Sequence, residues 1–332
     1  MREERRRILE MLEAGKVSVD EAARLLESLG KGAMAEWMPE RWVQAVTQAV
    51  DRVGARVRSP VEHRVEELTG DLVAEQGGVE LDVEFATESL RVMSHALPGW
   101  RLVLAKDGLA GADGIGHYRV ESGPGRLWIR REDAPRGPFG PLAAMGMRRI
   151  TLYLPQDVAV RGRVRLSNGA LRVTGLRVDG VHLETGNGRV ALNAAGGRAV
   201  VEAGNGSVRV SGPLEQLHAS SANGAVDVED GGSQEASYRL RSYNGRVRAL
   251  LRPQPGWSAK VEAESGVGPV HVRVPGMEVD SQRLGAGQRV RATVVGDPSP
   301  SRHLVLVAVT GNGRVDVDAI EPHMGAVTVE GA

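Results

Sequence analysis

The stretches VRLSNGALRV (residues 164–173), LETGNGRVAL (183–192), VEAGNGSVRV (201–210), ASSANGAVDV (219–228) and LRSYNGRVRA (240–249) repeat one pattern, which returns as AVTGNGRVDV at 308–317. Each is centred on Asn-Gly, at Asn168, Asn187, Asn205, Asn223, Asn244 and Asn312, and the first five recur at steps of 19, 18, 18 and 21 residues. A period of that length marks a repeat architecture in which one supersecondary unit stacks on the next and neighbours share a core.

Within each period the third and fifth residues after the asparagine are apolar, as in Leu171 and Val173, Val190 and Leu192, or Val208 and Val210. The fourth residue before it is apolar as well: Val164, Leu183, Val201, Ala219, Leu240 and Ala308. Polar or small residues stand between them, so each segment is a strand with one face in and one face out. A second glycine, at Gly175, Gly196, Gly212 and Gly231, adds another corner per period. The stretch Ser265-Gly-Val-Gly268 keeps the pattern without its asparagine, and Asp297-Pro-Ser-Pro300 is expected to close an inserted hairpin.

Two architectures fit. Asn-Gly supplies residues that tolerate positive φ and is the strongest short signal for a two-residue hairpin turn, which favours an antiparallel meander. Equivalent corners of a parallel solenoid instead stack about 4.8 Å apart, where asparagines can bond along the axis. The regular spacing, the shared interior positions and an aromatic content of 3% favour the solenoid. The expected fold is mainly β, a single-stranded β-helix preceded by a small α-helical region, with Asn168, Asn187, Asn205, Asn223 and Asn244 as a structural corner ladder.

Upstream, period-two alternation begins at Val79 and recurs at Leu90–Val92, Arg101–Leu104, His117–Glu121, Arg126–Arg130 and Arg149–Leu154. These segments lack Asn-Gly and read as a degenerate start to the repeat. The Pro- and Gly-rich run Pro135–Pro141 reads as a surface loop. The first 32 residues read as a helical hairpin. Ile8, Met11 and Leu12 form one stripe, Ser18 and Glu21 form a capping box, and Ala22, Leu25, Leu26 and Leu29 form a second stripe. Thirty residues bury too little to stand alone, so this hairpin must dock or self-associate. Residues 33–78 read as an amphipathic helix over 38–58 and a linker, with 61–78 open to either helix or strand. The β-helix repeat domain then spans 79–332.

Composition removes several function classes. The 42 basic and 42 acidic residues cancel, without the basic excess that phosphate binding needs, so no nucleic-acid partner is expected. With no cysteine there is no disulfide, thiolate metal site or thiol nucleophile. The eight histidines show no zinc-type spacing, the glycine-rich segments lack a phosphate-loop lysine, and no calcium-roll run is present, so no metal or cofactor is expected. Asp227 and Glu229 share a strand face in the manner of a glycosidase pair, but few aromatics accompany them to hold sugar rings. Arg161, Arg163 and Arg165, with Arg172 and Arg177, form a stripe suited to acidic lipid or cell-wall polymer. The N-terminus lacks the apolar core of a secretory signal, and no apolar run reaches membrane-span length, so the expectation is a cytoplasmic protein with a membrane-peripheral position as its variant.

The segment ITLYLP (150–155) followed by VRLSNGALRV and LETGNGRV (183–190) resembles the β-strand-repeat family called putative adhesins, from about Val79 to Val329. That resemblance implies a right-handed single-stranded β-helix and no assigned catalytic residues. The opening ERRRILEMLEAGKVSVDEAARLL (4–26) resembles the SHOCT-like helical hairpin of YvlB/LiaX-like proteins, which implies a link to bacterial envelope stress. Together these give an expected non-enzymatic interaction or scaffold protein. Ile8, Met11, Leu25, Leu26 and Leu29 would dock a protein partner or a second copy, and the β-helix would act as a rigid binding surface. A surface adhesin or glycan-binding protein is the alternative, and a scaffold polymerising end to end is a third if a solenoid end is open.

Overall fold

The computed structural model describes residues 64–75, 77–106, 118–131, 149–294, 296 and 300–320. The chain divides into two units, Met1–Glu62 and His63–Ala332, and every described residue belongs to the second. The helical hairpin, the 38–58 helix and the docking residues Ile8, Met11, Leu25, Leu26 and Leu29 lie outside the described residues, as does the Pro135–Pro141 loop.

The described residues are mainly β, with 21 strands in one hydrogen-bonded network. The early strands are β1 (Arg64–Gly70), β2 (Gly78–Phe85), β3 (Ser89–His95), β4 (Trp100–Lys106), β5 (Tyr118–Gly123), β6 (Arg126–Arg131) and β7 (Arg149–Pro155). The repeat proper holds β8 (Ala159–Asn168), β9 (Leu171–Asn187), β10 (Val190–Asn205), β11 (Val208–Gly212), β12 (Leu214–Ser221), β13 (Val226–Asp230), β14 (Glu235–Asn244) and β15 (Val247–Leu251). The last six are β16 (Ser258–Val267), β17 (Val270–Arg273), β18 (Glu278–Leu284), β19 (Gly287–Val294), β20 (His303–Asn312) and β21 (Val315–Ala319).

Successive periods pair in parallel. Leu183 of β9 lies between Val164 of β8 and Val201 of β10, and Val190 lies between Leu171 and Val208. An antiparallel meander does not produce this register. The alternating apolar residues therefore form columns through the unit. Leu171, Val190, Val208, Val226, Val247 and Val315 follow one another in a single buried row, each at most 1% exposed.

Sequence order and stacking order part company at both ends. The rung β2–β3 is parallel to β6–β7 on one side and to β8 and the start of β9 on the other. At the far end β20 lies between β14 and β16, and β21 lies between β15 and β17. The last parallel rungs are covered by antiparallel strands: β4 on β7, β5 on β6, and β19 on β16 with β18 beyond it.

Three features refine the sequence reading. Residues 64–70, open between helix and strand in the sequence, form β1 paired antiparallel with β4, so the β unit starts ahead of Val79. A hairpin is present at β18–β19, turning between Leu284 and Gly287, whereas 297–299 of the turn expected at Asp297–Pro300 lie outside the described residues. The glycine of each Asn-Gly is needed for its lack of bulk, and at Gly169, Gly188 and Gly313 for positive φ as well. Gly206, Gly224 and Gly245 do not have positive φ, yet a Cβ on any of them would overlap the carbonyl oxygen of the preceding rung's glycine.

Candidate binding face

The corners are joined side chain to side chain. Asn187 Nδ2 donates to Asn168 Oδ1 at 2.7 Å, Asn205 to Asn187 and Asn223 to Asn205 at 2.8 Å, and Asn244 to Asn223 and Asn312 to Asn244 at 2.9 Å. Each inner amide donates once and accepts once along the row, and such chained amides polarise one another. Inside the corner runs a second row that the repeat pattern did not single out. Two residues before the asparagine, the hydroxyls of Thr185, Ser221, Ser242 and Thr310 donate to the carbonyls of Gly169, Gly206, Gly224 and Gly245. Ser265 does the same to Gly313, which explains how the corner at Val267 survives without its asparagine. These hydroxyls occupy inward positions of the alternation and are buried, so each must find an acceptor. Asn205→Ala removes two bonds of the outer row and is expected to cost about 1–2 kcal/mol, read by chemical unfolding. Unchanged stability would mean the asparagine row contributes nothing net.

The arginine stripe lies on the outer face of β8, but its setting is not basic. Arg161, Arg163 and Arg165 stand in register with Glu80, Asp82 and Glu84 of β2. On the other flank Arg165 Nε meets Glu184 at 2.9 Å, and Arg163 meets His182 Nδ1 at 3.3 Å, whose Nε2 lies 3.0 Å from Glu202. Arg130 of β6 lies 3.7 Å from Asp82 and 3.5 Å from Glu84. Rows of opposite sign thus alternate across this face around a depression of about 420 Å³ lined by Glu80, Asp82, Arg130, Arg163 and His182. Arg172 and Arg177 make no ion pair among the described residues. Asp227 is taken up by Arg246 at 2.9 Å and Arg209 at 3.9 Å, and Glu229 lies 3.8 Å from Arg252, so each carboxylate has an arginine counter-ion. Among the described residues no three His, Asp or Glu side chains converge as metal ligands, and no helix is long and apolar enough to cross a membrane.

Two buried ion pairs have no local signal in the sequence. Arg302 and Asp230 are both fully buried, 2.7 Å apart. Tyr238 donates to Asp230 at 3.1 Å, and burial together with the Asp230 charge pushes its hydroxyl well above the usual tyrosine range, so it stays a neutral donor. Glu88, also fully buried, accepts from Arg131 at 2.8 Å and from Tyr118 at 3.3 Å. Both pairs tie segments distant in sequence, Asp230 to Arg302 and Glu88 to Arg131.

One surface patch breaks the alternation of apolar and charged faces. On β20, Leu304, Leu306 and Ala308 point inward, and Val305, Val307 and Val309 stand on the outer face, with Val305 45% exposed. The unbroken run LVLVAV over 304–309 is the sequence signal of a strand apolar on both faces.

Three solved structures are similar to the chain. They are a putative cell adhesion protein from Clostridium sporogenes (12% identity, TM-score 0.37, 78% of this chain and 100% of that one), a putative adhesin from Bacteroides fragilis (11%, 0.36, 77% and 97%) and a putative lipid binding protein from Parabacteroides distasonis (9%, 0.37, 79% and 98%). No curated protein matches the chain significantly. The family matched by sequence is the SHOCT-like domain, over residues 3–33.

Proposed function

We propose that the chain is a non-enzymatic interaction protein of two parts. The SHOCT-like segment presents Ile8, Met11, Leu25, Leu26 and Leu29 to a protein partner or to a second copy, and the β unit is a right-handed single-stranded β-helix offering a rigid surface. What supports the β-helix is the in-register parallel stacking of periods 18 to 21 residues apart. Crossovers between parallel strands are right-handed in nearly all proteins, which supports the hand. The observation that carries the scaffold role is the continuous asparagine row from Asn168 to Asn312, since a surface fixed rung by rung loses little entropy on binding. The SHOCT-like match supports a place in envelope-stress signalling, and the reading places the chain in the cytoplasm, at or near the membrane.

Deleting residues 3–33 tests the role of the helices. At low micromolar concentration, light scattering is expected to fall from a multiple of the chain's 35.4 kDa to a single copy, or a captured partner to be lost. If mass and partner were both retained, the helical docking model would be wrong.

A further inference from the structure

The outer face formed by β7, β3, the starts of β9 and β10, and β11 carries an arginine at every strand and, among the described residues, no carboxylate. We propose that this band binds a linear polymer with phosphate in its backbone, laid along the stacking direction. Arg149, Arg91, Arg172, Arg189 and Arg209 are all exposed. Arg91 of β3 and Arg172 of β9 stand side by side in register. Arg149 is in register with Ser89, two residues before Arg91, and Arg189 stands two residues before Ala191, which is in register with both Arg172 and Arg209. Residues two apart on a strand share a face, so the five guanidiniums fall in two rows of one sheet face. The side chains between them, Ser89, Thr151, Ala191 and Ser207, are neutral.

Farther along the same face the charges cancel, Arg246 with Asp227, Arg314 with Asp316 and Arg273 with Asp318. Within the band they do not. Among the described residues Arg91, Arg149 and Arg172 meet no carboxylate, and Arg189 donates to the Ser207 hydroxyl at 3.2 Å. Arg209 stands 3.9 Å from Asp227, which Arg246 already holds at 2.9 Å. The β8 stripe differs, because Glu80, Asp82 and Glu84 lie in register beside it. Like charges directly opposite each other destabilise a sheet, and β3 and β9 set two guanidiniums on strands about 4.8 Å apart without a counter-ion. A bound anion supplies the missing charge.

The shape of the band selects the anion. Four strand spacings of about 4.8 Å make it roughly 19 Å long, and it is only two side-chain rows wide. A chain with a charge at every link fills it, whereas a single phosphate would occupy only the Arg91 and Arg172 pair. The guanidinium fork matches phosphate oxygens two at a time. Nucleic-acid bases stack on aromatic rings, and neither row holds one. Binding flat on a bilayer adds large apolar side chains to the cations, and neither row holds those either.

The inference rests on the reading of the β unit as a binding surface and names what that surface takes. The test titrates the full chain with linear inorganic polyphosphate in a calorimeter at low salt. The log–log dependence of affinity on salt is expected to have a slope of about −3.5, from about five contacts at about 0.7 counterion each. Arg91→Gln with Arg172→Gln should weaken binding about tenfold or more and flatten that slope by about 1.4. Arg239→Gln with Arg241→Gln removes the same charge from exposed arginines of β14, outside the band, and should leave both unchanged. Since the Arg91 and Arg172 change relieves a repulsion, it should not lower the denaturant midpoint. Orthophosphate, polyglutamate and phosphatidylserine vesicles should each bind more weakly than polyphosphate. Absence of polyphosphate binding, or binding indifferent to the Arg91 and Arg172 changes, would overturn the proposal. Tighter binding of polyglutamate or vesicles would overturn it by naming another occupant, and a lowered midpoint by making the pair structural. Equal losses in the β14 variant would exclude the band while leaving the β unit a binding surface.

Discussion

Arg302→Met is expected to destabilise the β unit by about 3–5 kcal/mol, because it leaves a buried carboxylate without its counter-charge. Arg302 stands one residue before β20, with its side chain fully buried against Asp230. Its Nη2 donates to Asp230, its Nε to the Ser233 carbonyl and its Nη1 to the Arg252 carbonyl, each at 2.7 Å. One guanidinium thereby ties the end of β13, the approach to β14 and the exit of β15 to the entry of β20. Asp230 keeps the Gly232 and Arg252 amides and the Tyr238 hydroxyl as donors, but none of them is a cation. Adding Asp230→Asn removes the stranded charge and should recover part of the loss, since a buried pair replaced as a whole costs far less than a broken one. Unfolding in denaturant followed by circular dichroism measures both variants. A loss below about 1 kcal/mol in the single variant would show that the pair is not what holds this junction.

Gly206→Ala is expected to cost about 3 kcal/mol, because a methyl group there has nowhere to go. A Cβ on Gly206 would overlap the Gly188 carbonyl oxygen, and relief means separating two rungs that are also joined by the Gly188 amide to the Asn205 carbonyl at 3.1 Å. The matched control is Gly123→Ala in the β5–β6 hairpin, where an added Cβ meets nothing within 4 Å and φ is not positive. That variant should unfold close to the parent. Equal behaviour of the two substitutions would refute the close-approach explanation of the Asn-Gly repeat.

Much of the interior was legible because it is written with period two. Val164, Leu183 and Val201 could be placed on one inward column from spacing alone, and the structure sets them in register. The hydroxyl row was hidden for a chemical reason: serine and threonine two before the asparagine share the inward parity, but nothing in the spacing names the carbonyl that each reaches. Asp230 and Arg302 are 72 residues apart, and nothing local marks either as half of a pair. The place of β2–β3 between β6–β7 and β8–β9 was equally silent, since interchangeable rungs have interchangeable patterns. The setting of the arginine stripe was hidden by the same distance. Arg161, Arg163 and Arg165 alternate along one segment, but the acidic β2 residues in register with them are some 80 positions earlier.

The position of β20–β21 between β14–β15 and β16–β17 has a consequence for how the protein is made. Translation delivers β16 and β17 first, and at about 5–20 residues per second β20 follows them out of the ribosome only seconds later. During that interval β14 offers an unfilled edge, and β16 is the nearest parallel strand able to occupy it. The nascent chain must hold that slot open or surrender it when the late strand arrives. Completion of the stack thus waits for β20 and β21, and a chain broken off before Arg302 would lack both the strand that fills the gap and the cation that locks it.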